Sequence, residues 1–156
     1  MSTPGLSVGL LLYRRVEGES KVLLAHMGGP FWAEKDDHAW TIPKGLREEG
    51  DDDLLAAALR EFVEEMGSPP PDGPTHDLGA CRSGPKTNHV FAREADFDAS
   101  GIVSNTFEME WPPRSGRREA FPEVDRAAWM SIGEARQKLV KGMLPFLDRL
   151  ETETSR

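Results

Sequence analysis

The sequence predicts an α/β sandwich. Three observations predict it. Apolar-rich segments at 6–15 and 21–26 have the pattern of a strand hairpin turning at Gly18. A run at 53–66 places Leu55, Leu59, Phe62 and Met66 at helical spacing, then stops at Gly67 with Pro69, Pro70 and Pro71 beyond it. Further short strand patterns follow, and Ser131 is placed to cap a second helix over 132–140. Mixed strands with two main helices fit a layered α/β arrangement.

The elements can be justified in order. After the hairpin, residues 27–39 form a long loop holding Gly28, Gly29 and Pro30, and loops of that length are often functional. Trp40–Pro43 reads as a short strand entering a loop at Gly45. Asp51, Asp52 and Asp53 suit the start of the helix at 53–66, because carboxylates accept from free N–H groups and favour the positive end of the dipole. Segments 76–82, 89–93, 106–111 and 127–130 read as strands. Residues 68–74 are a Pro-rich surface connector and 112–116 break a strand. A third helix is expected over 144–150, with 151–156 a frayed polar tail.

Length and charge set bounds. A chain of 156 residues is expected to be a single domain over 1–156. The single Cys81 excludes an internal disulfide and fits a reducing, cytoplasmic setting, with the thiol an inert small side chain. The first residues lack a basic, apolar leader pattern, and no apolar run approaches a membrane span of about 20 residues. A formal net charge of −8 argues against general nucleic-acid binding, which relies on basic surface.

The acids are concentrated at one place. Arg60-Glu61-Phe62-Val63-Glu64-Glu65-Met66-Gly67 sets Glu61, Glu64 and Glu65 on the predicted helix, read as lying roughly opposite the apolar stripe. Such acids can be a plain solvated face, and Arg60 with Glu64 can be an ordinary i,i+4 pair. Glu61 and Glu65, however, are like charges four apart, which costs a helix roughly 0.2–0.5 kcal/mol unless a cation lies between them. Carboxylates on adjacent turns suit hard divalent ions.

Gly45, the acidic loop and the run 60–67 together resemble the Nudix box, the signature of hydrolases acting on nucleoside diphosphates linked to another moiety. Three departures show. The Gly45-to-Arg60 spacing is one residue longer than usual, the upstream acid is Asp51 or Asp52 instead of Glu, and Ser68 stands where an aliphatic residue is usual. Gly29-Pro30-Phe31-Trp32, Trp40-Thr41-Ile42-Pro43-Lys44-Gly45, the segment 110–116 (EWPPRSG) and the segment 121–129 (FPEVDRAAW) resemble a bacterial Nudix group of nucleoside triphosphate pyrophosphohydrolases. The resemblance implies an α/β/α sandwich with a mixed β-sheet. It implies Glu61, Glu64 and Glu65 as metal ligands with the Gly45 carbonyl, Arg60 as the residue that orients a carboxylate, and Mg²⁺ as cofactor with Mn²⁺ able to substitute.

The general base stays open between Glu65, the first choice, and the loop carboxylates Glu119 and Glu123. Lys44, beside Gly45, could meet a phosphate; Lys86, Arg114, Arg117 and Arg118 are further phosphate candidates, against a solubilising role. Trp32 and Trp111 are candidates for stacking on a base, whereas Trp40 is read as core. His26, His38, His76 and His89 show no metal spacing and are read as structural. The expected activity is metal-dependent hydrolysis of a pyrophosphate bond in a nucleoside triphosphate or dinucleoside polyphosphate by water attack at phosphorus. The alternatives are a non-catalytic nucleotide-sensing module and an RNA 5′-end pyrophosphohydrolase. The expected partner is a small nucleotide, with no membrane, and the protein a monomer or homodimer.

Overall fold

The computed structural model describes residues 6–155. Two long strands, β1 (Leu6–Val16) and β2 (Glu19–Met27), form the hairpin about Gly18, whose φ of 81° suits a residue without a side chain. They pair only near the turn, from Tyr13–Val22 to Val16–Glu19. Beyond it they splay, and residues 40–46 fill the gap. There β3 (Trp40–Thr41) pairs with β2, and β4 (Lys44–Leu46) pairs with β1 through Ser7–Leu46, Val8–Gly45 and Gly9–Lys44. The Leu10 amide closes the wedge on the Pro43 carbonyl at 3.1 Å.

The outer edges of this hairpin extend the sheet. β6 (Lys86–Glu94) runs parallel to β1, and β5 (Thr75–Ser83) lies antiparallel beyond it. β9 (Val124–Ser131) pairs antiparallel with β2. The result is a seven-stranded mixed sheet. A separate two-stranded arm is made by β7 (Thr106–Glu110) and β8 (Arg118–Pro122).

Alternation along β1 explains the layers. Val8, Leu10 and Leu12 join Phe62 and Met66 of α1 (Leu54–Met66) in one buried cluster. Leu11 and Tyr13 point the other way, into a cluster with Leu139, Phe146, Leu147 and Leu150. That second face is covered by α2 (Ile132–Lys138) and α3 (Leu144–Thr154). The fold is thus the expected α/β/α sandwich with a mixed sheet.

Differences from the sequence reading are local. β8 is a strand that the sequence does not predict, because its residues are nearly all exposed and carry no apolar alternation. α3 continues through Thr154, so the polar segment expected to fray is helical up to that residue. The Thr154 carbonyl also accepts from the Arg15 guanidinium. α1 starts one residue later than expected, capped by Asp53, whose carboxylate accepts from the Leu55 and Ala56 amides at 3.0 and 3.2 Å.

Phe62 is fully buried and meets Phe97 edge-to-face at 5.1 Å. Phe62→Ala should therefore cost about 3–5 kcal/mol in urea unfolding, while Val63→Ala on the outer surface of the same helix should stay within about 0.5 kcal/mol. Equal costs for the two would contradict the packing described.

Candidate active site

The α1 carboxylates do not sit opposite the core stripe, as the sequence reading had them. At about 100° per residue, Glu65 falls about 60° and Glu61 about 100° from Phe62, while Glu64 falls about 160° away. Glu61 and Glu65 are accordingly buried on the flank of α1, at 7% and 8% exposure, and only Glu64 faces solvent. That flank meets β4.

The contact with β4 is close. A side chain at Gly45 would place its Cβ 1.7 Å from Glu61 Oε2, so only glycine leaves room for this carboxylate. The Lys44 amide donates to Glu65 Oε1 at 2.9 Å. Two buried carboxylates one helical turn apart are thus pressed against the backbone of a strand that the splay of β1 and β2 holds in place.

Arg60 locks the preceding loop to the helix. Its guanidinium donates to both Asp51 oxygens, at 2.7 and 3.0 Å, and to Glu61 Oε1 at 3.2 Å. The ordinary Arg60–Glu64 pair weighed from the sequence is replaced by this bridge. Asp51 does not serve the helix start: its carboxylate accepts from the Glu48 amide at 2.7 Å and from Arg60. The extra residue in the loop is absorbed by the turn at Gly50, where φ is 96°.

The electrostatics follow from this packing. Burial pushes the Glu65 carboxyl up to about 7, opposed by the Lys44 amide and ammonium and reinforced by the charges of Glu123 and Glu61. Burial likewise raises Glu61, opposed by its bond from Arg60 and reinforced by Glu64. Asp51 is held below the usual carboxylate range by its bonds from Arg60 and the Glu48 amide.

Of the two loop carboxylates, Glu123 is the one brought to Glu65. Its position is fixed by its backbone, which donates to the Asn105 carbonyl and accepts from the Gly28 amide, both at 2.9 Å. Glu119 lies on exposed β8 opposite Met109, and no hydrogen bond or ion pair among the described residues joins it to α1.

The remaining candidates spread over the surface. Lys44 is at the centre. Trp111 ends the β7–β8 arm and meets Phe31 edge-to-face at 6.0 Å. Phe31 is 61% exposed and was not singled out from the sequence, although it sits in the Gly29-Pro30-Phe31-Trp32 motif. Trp32 packs partly against the core on the α2–α3 face, with the Lys35 ammonium 5.3 Å above its ring. Arg114 sits in the turn of the arm with φ 63°, its amide bonded to Glu110. Arg117 and Arg118 lie on the same arm, the latter 3.8 Å from Glu108. Lys86 opens β6 opposite Ser83, and no hydrogen bond or ion pair among the described residues links it to α1.

Trp40 is buried, with its indole N–H on Asp36 at 2.9 Å. Buried His26 bonds Asp125 and the Lys35 carbonyl at 2.8 and 2.6 Å. His38 bonds the Leu139 carbonyl, and His89 bonds Asp77. His76 lies 3.9 Å from Glu153.

The donor set fits a hard divalent cation. It is all oxygen, it brings two like charges together with Arg60 paired to only one of them, and the missing side chain of Gly45 lets the Glu61 carboxylate lie against the backbone. Among the described residues no three acidic, His or Cys side chains are already drawn into a metal cage. Glu61 is turned to Arg60 and Glu65 to the Lys44 amide.

The NUDIX domain family model matches residues 3–150. The chain therefore belongs to the Nudix family, the class of pyrophosphohydrolases that its motif resembles. A comparison with curated proteins finds no match. Among solved structures, the NUDIX domain of Shewanella oneidensis NrtR, complexed with ADP ribose, is similar with a TM-score of 0.66 at 16% identity, covering 99% of this chain and 90% of that one. A C. elegans Ap4A hydrolase is similar with a TM-score of 0.60 at 20% identity, covering 97% and 98%. The E. coli ORF135 protein gives 0.52 at 20% identity, covering 97% and 92%. At these identities the likeness is one of fold.

The raised Glu65 carboxyl has a consequence for stability. Its folded value near 7 lies above the ordinary 4.5, so the folded state holds the proton more tightly than the unfolded state. Without divalent metal, this group then costs nothing below about pH 4.5 and progressively more up to about pH 7, reaching about 3 kcal/mol above it. Glu65→Gln should remove that loss and make the metal-free protein more stable than wild type at pH 8 in urea unfolding. A Gln variant that is less stable at pH 8 would contradict the burial described.

Proposed function

We propose that this chain hydrolyses a pyrophosphate bond in a nucleoside polyphosphate, a nucleoside triphosphate or a dinucleoside polyphosphate, with Mg²⁺ or Mn²⁺ as cofactor. The observation that carries the reading is the convergence of Glu61 and Glu65, both nearly buried, on the backbone at Lys44 and Gly45. Arg60 partners Glu61, but buried Glu65 has no ion pair among the described residues, and a bound cation would supply the positive charge it lacks.

Glu61, Glu64, Glu65 and the Gly45 carbonyl would hold the cation. When bound, it neutralises phosphate oxygens and lowers the pKa of a water. The chain's own residues do the rest. Asp51 and Arg60 fix the loop against the helix and keep Glu61 oriented. The Lys44 amide holds Oε1 of Glu65 in place, and this carboxylate, besides holding the cation, would take the proton of the attacking water; Glu123, whose charge acts on Glu65, is the second carboxylate for that role. The Lys44 ammonium supplies positive charge beside the carboxylates, suited to a phosphate. The arm bearing Trp111 and Arg114, with Arg117 and Arg118, offers an aromatic face and guanidinium groups for a base and a phosphate chain. Trp32, packed on the α2–α3 face, and Lys86, at the start of β6, complete the binding candidates.

A panel of nucleoside triphosphates, dinucleoside polyphosphates and sugar nucleotides, assayed with and without Mg²⁺ or Mn²⁺, tests this. Turnover of at least one class is expected only with metal. Glu65→Gln should cut kcat on the order of 10²–10⁴-fold with folding intact. Near-normal turnover in that variant would remove the role assigned to Glu65.

One observation favours a second reading. The NrtR structure similar to this chain carries ADP ribose, and a nucleotide-sensing role would use the same cleft without turnover. Calorimetry showing tight nucleotide binding in the presence of metal, with intact nucleotide recovered afterwards, would support sensing and exclude hydrolysis.

A further inference from the structure

A short segment between the 3₁₀ turn at Ala99–Gly101 and β7 ties two parts of the site together. At one end, the Val103 amide donates to the Met66 carbonyl at 3.2 Å, the last helical residue of α1. Gly67 permits this approach, since a Cβ there would stand 2.6 Å from the Val103 carbonyl oxygen. The Asn105 amide donates to the Glu64 carbonyl at 2.8 Å. The segment is therefore docked on the very turn of α1 that carries Glu64 and Glu65.

At the other end, the same residues hold the chain around Glu123. The Asn105 carbonyl accepts from the Glu123 amide at 2.9 Å. The Ser104 hydroxyl donates to that carbonyl at 2.8 Å and accepts from the Val124 amide at 3.0 Å. Val124 is 2% exposed, so its amide has little access to water if this partner is lost. One hydroxyl thus braces the backbone at both residues 123 and 124.

We propose that Ser104 is a positioning residue for the reaction: with Asn105 it forms a strap that sets the Glu123 carboxylate at a fixed place relative to the carboxylate turn of α1. It touches neither substrate nor cation and acts only through Glu123. The inference rests on the hydrolytic reading above. Its chemistry is simple. A loop carboxylate on an exposed corner would otherwise sample many positions, and catalytic groups lose rate steeply with small misplacement. The strap consists of four hydrogen bonds, from the Asn105 amide to Glu64, from the Glu123 amide to Asn105, from the Ser104 hydroxyl to Asn105 and from the Val124 amide to Ser104.

A double-mutant cycle tests it. Ser104→Ala should lower kcat about tenfold while KM moves less than about twofold, and Ser104→Thr, which keeps the hydroxyl, should restore most of the rate. In a Glu123→Gln background, Ser104→Ala should cost less than about twofold further, because its effect passes through Glu123. Independent multiplicative losses, or a Thr variant as slow as Ala, would overturn the proposal. Amide hydrogen exchange gives a readout without turnover: Ser104→Ala should speed exchange at Glu123 and Val124 about tenfold and leave the middle of α1 unchanged. Unchanged exchange at 123 and 124 would overturn the strap itself. A wild type that hydrolyses no nucleotide would remove the hydrolytic reading, and with it the part of Ser104 in that reaction, while exchange would still decide whether the strap exists.

Discussion

The structure depends on the fit of the Glu61 carboxylate into the space left by the missing side chain of Gly45. Glu65 lies one turn further on and takes the neighbouring Lys44 amide. These contacts place negative charge where it is nearly dry, which a protein tolerates only with partners. Arg60 compensates Glu61 from one side, and Asp51 in turn holds Arg60. Glu65 has an amide and a nearby ammonium but no ion pair among the described residues, and burial keeps its affinity for a proton high. The site therefore has an unmet demand for positive charge, and the oxygen donor set decides which kind of charge suits it.

The sheet exists in this form to meet that constraint. Were β1 and β2 paired along their full length, the segment 40–46 would have no edge to join. Because they part after Tyr13 and Val22, β4 can lie on β1 beneath α1. α1 is then fixed by Phe62 and Met66 on the sheet, so its carboxylate flank has one available direction. The opposite face, filled by Leu139, Phe146, Leu147 and Leu150, plays no part in the site and supports the sheet from behind. The β7–β8 arm stands outside both layers and meets the Gly28–Phe31 loop through Phe107 on Gly29 and Trp111 on Phe31.

Much of this was legible in the sequence. The apolar richness of 6–15, the helical spacing of Leu55, Phe62 and Met66, and the Gly67 stop are local signals, and β1 and α1 lie where those signals place them. The box residues were legible because their spacing is fixed by one helix. What escaped were relations across long separations. The pairing of Asp51 with Arg60 was hidden by the longer loop, since only the folded turn at Gly50 shows which aspartate returns to the helix. The burial of Glu61 and Glu65 is hidden when all three glutamates are placed opposite the stripe, although only Glu64, about 160° from Phe62, lies there, and Glu65 and Glu61 lie about 60° and 100° from it. Glu119 and Glu123 look equivalent in sequence, and only the fold separates them: Glu119 lies on exposed β8, while the Glu123 backbone is held between Asn105 and Gly28 and its charge acts on Glu65. β8 and Phe31 carry no periodic signal at all.

We propose that the buried carboxylates of α1 and the Gly45 carbonyl form the seat of a divalent cation. Anomalous diffraction from crystals soaked in Mn²⁺ is the decisive measurement. An anomalous peak is expected between Glu61, Glu65 and the Gly45 carbonyl, and it should disappear in Glu61→Gln crystals. A peak elsewhere on the acidic surface, with none between these groups, would contradict it.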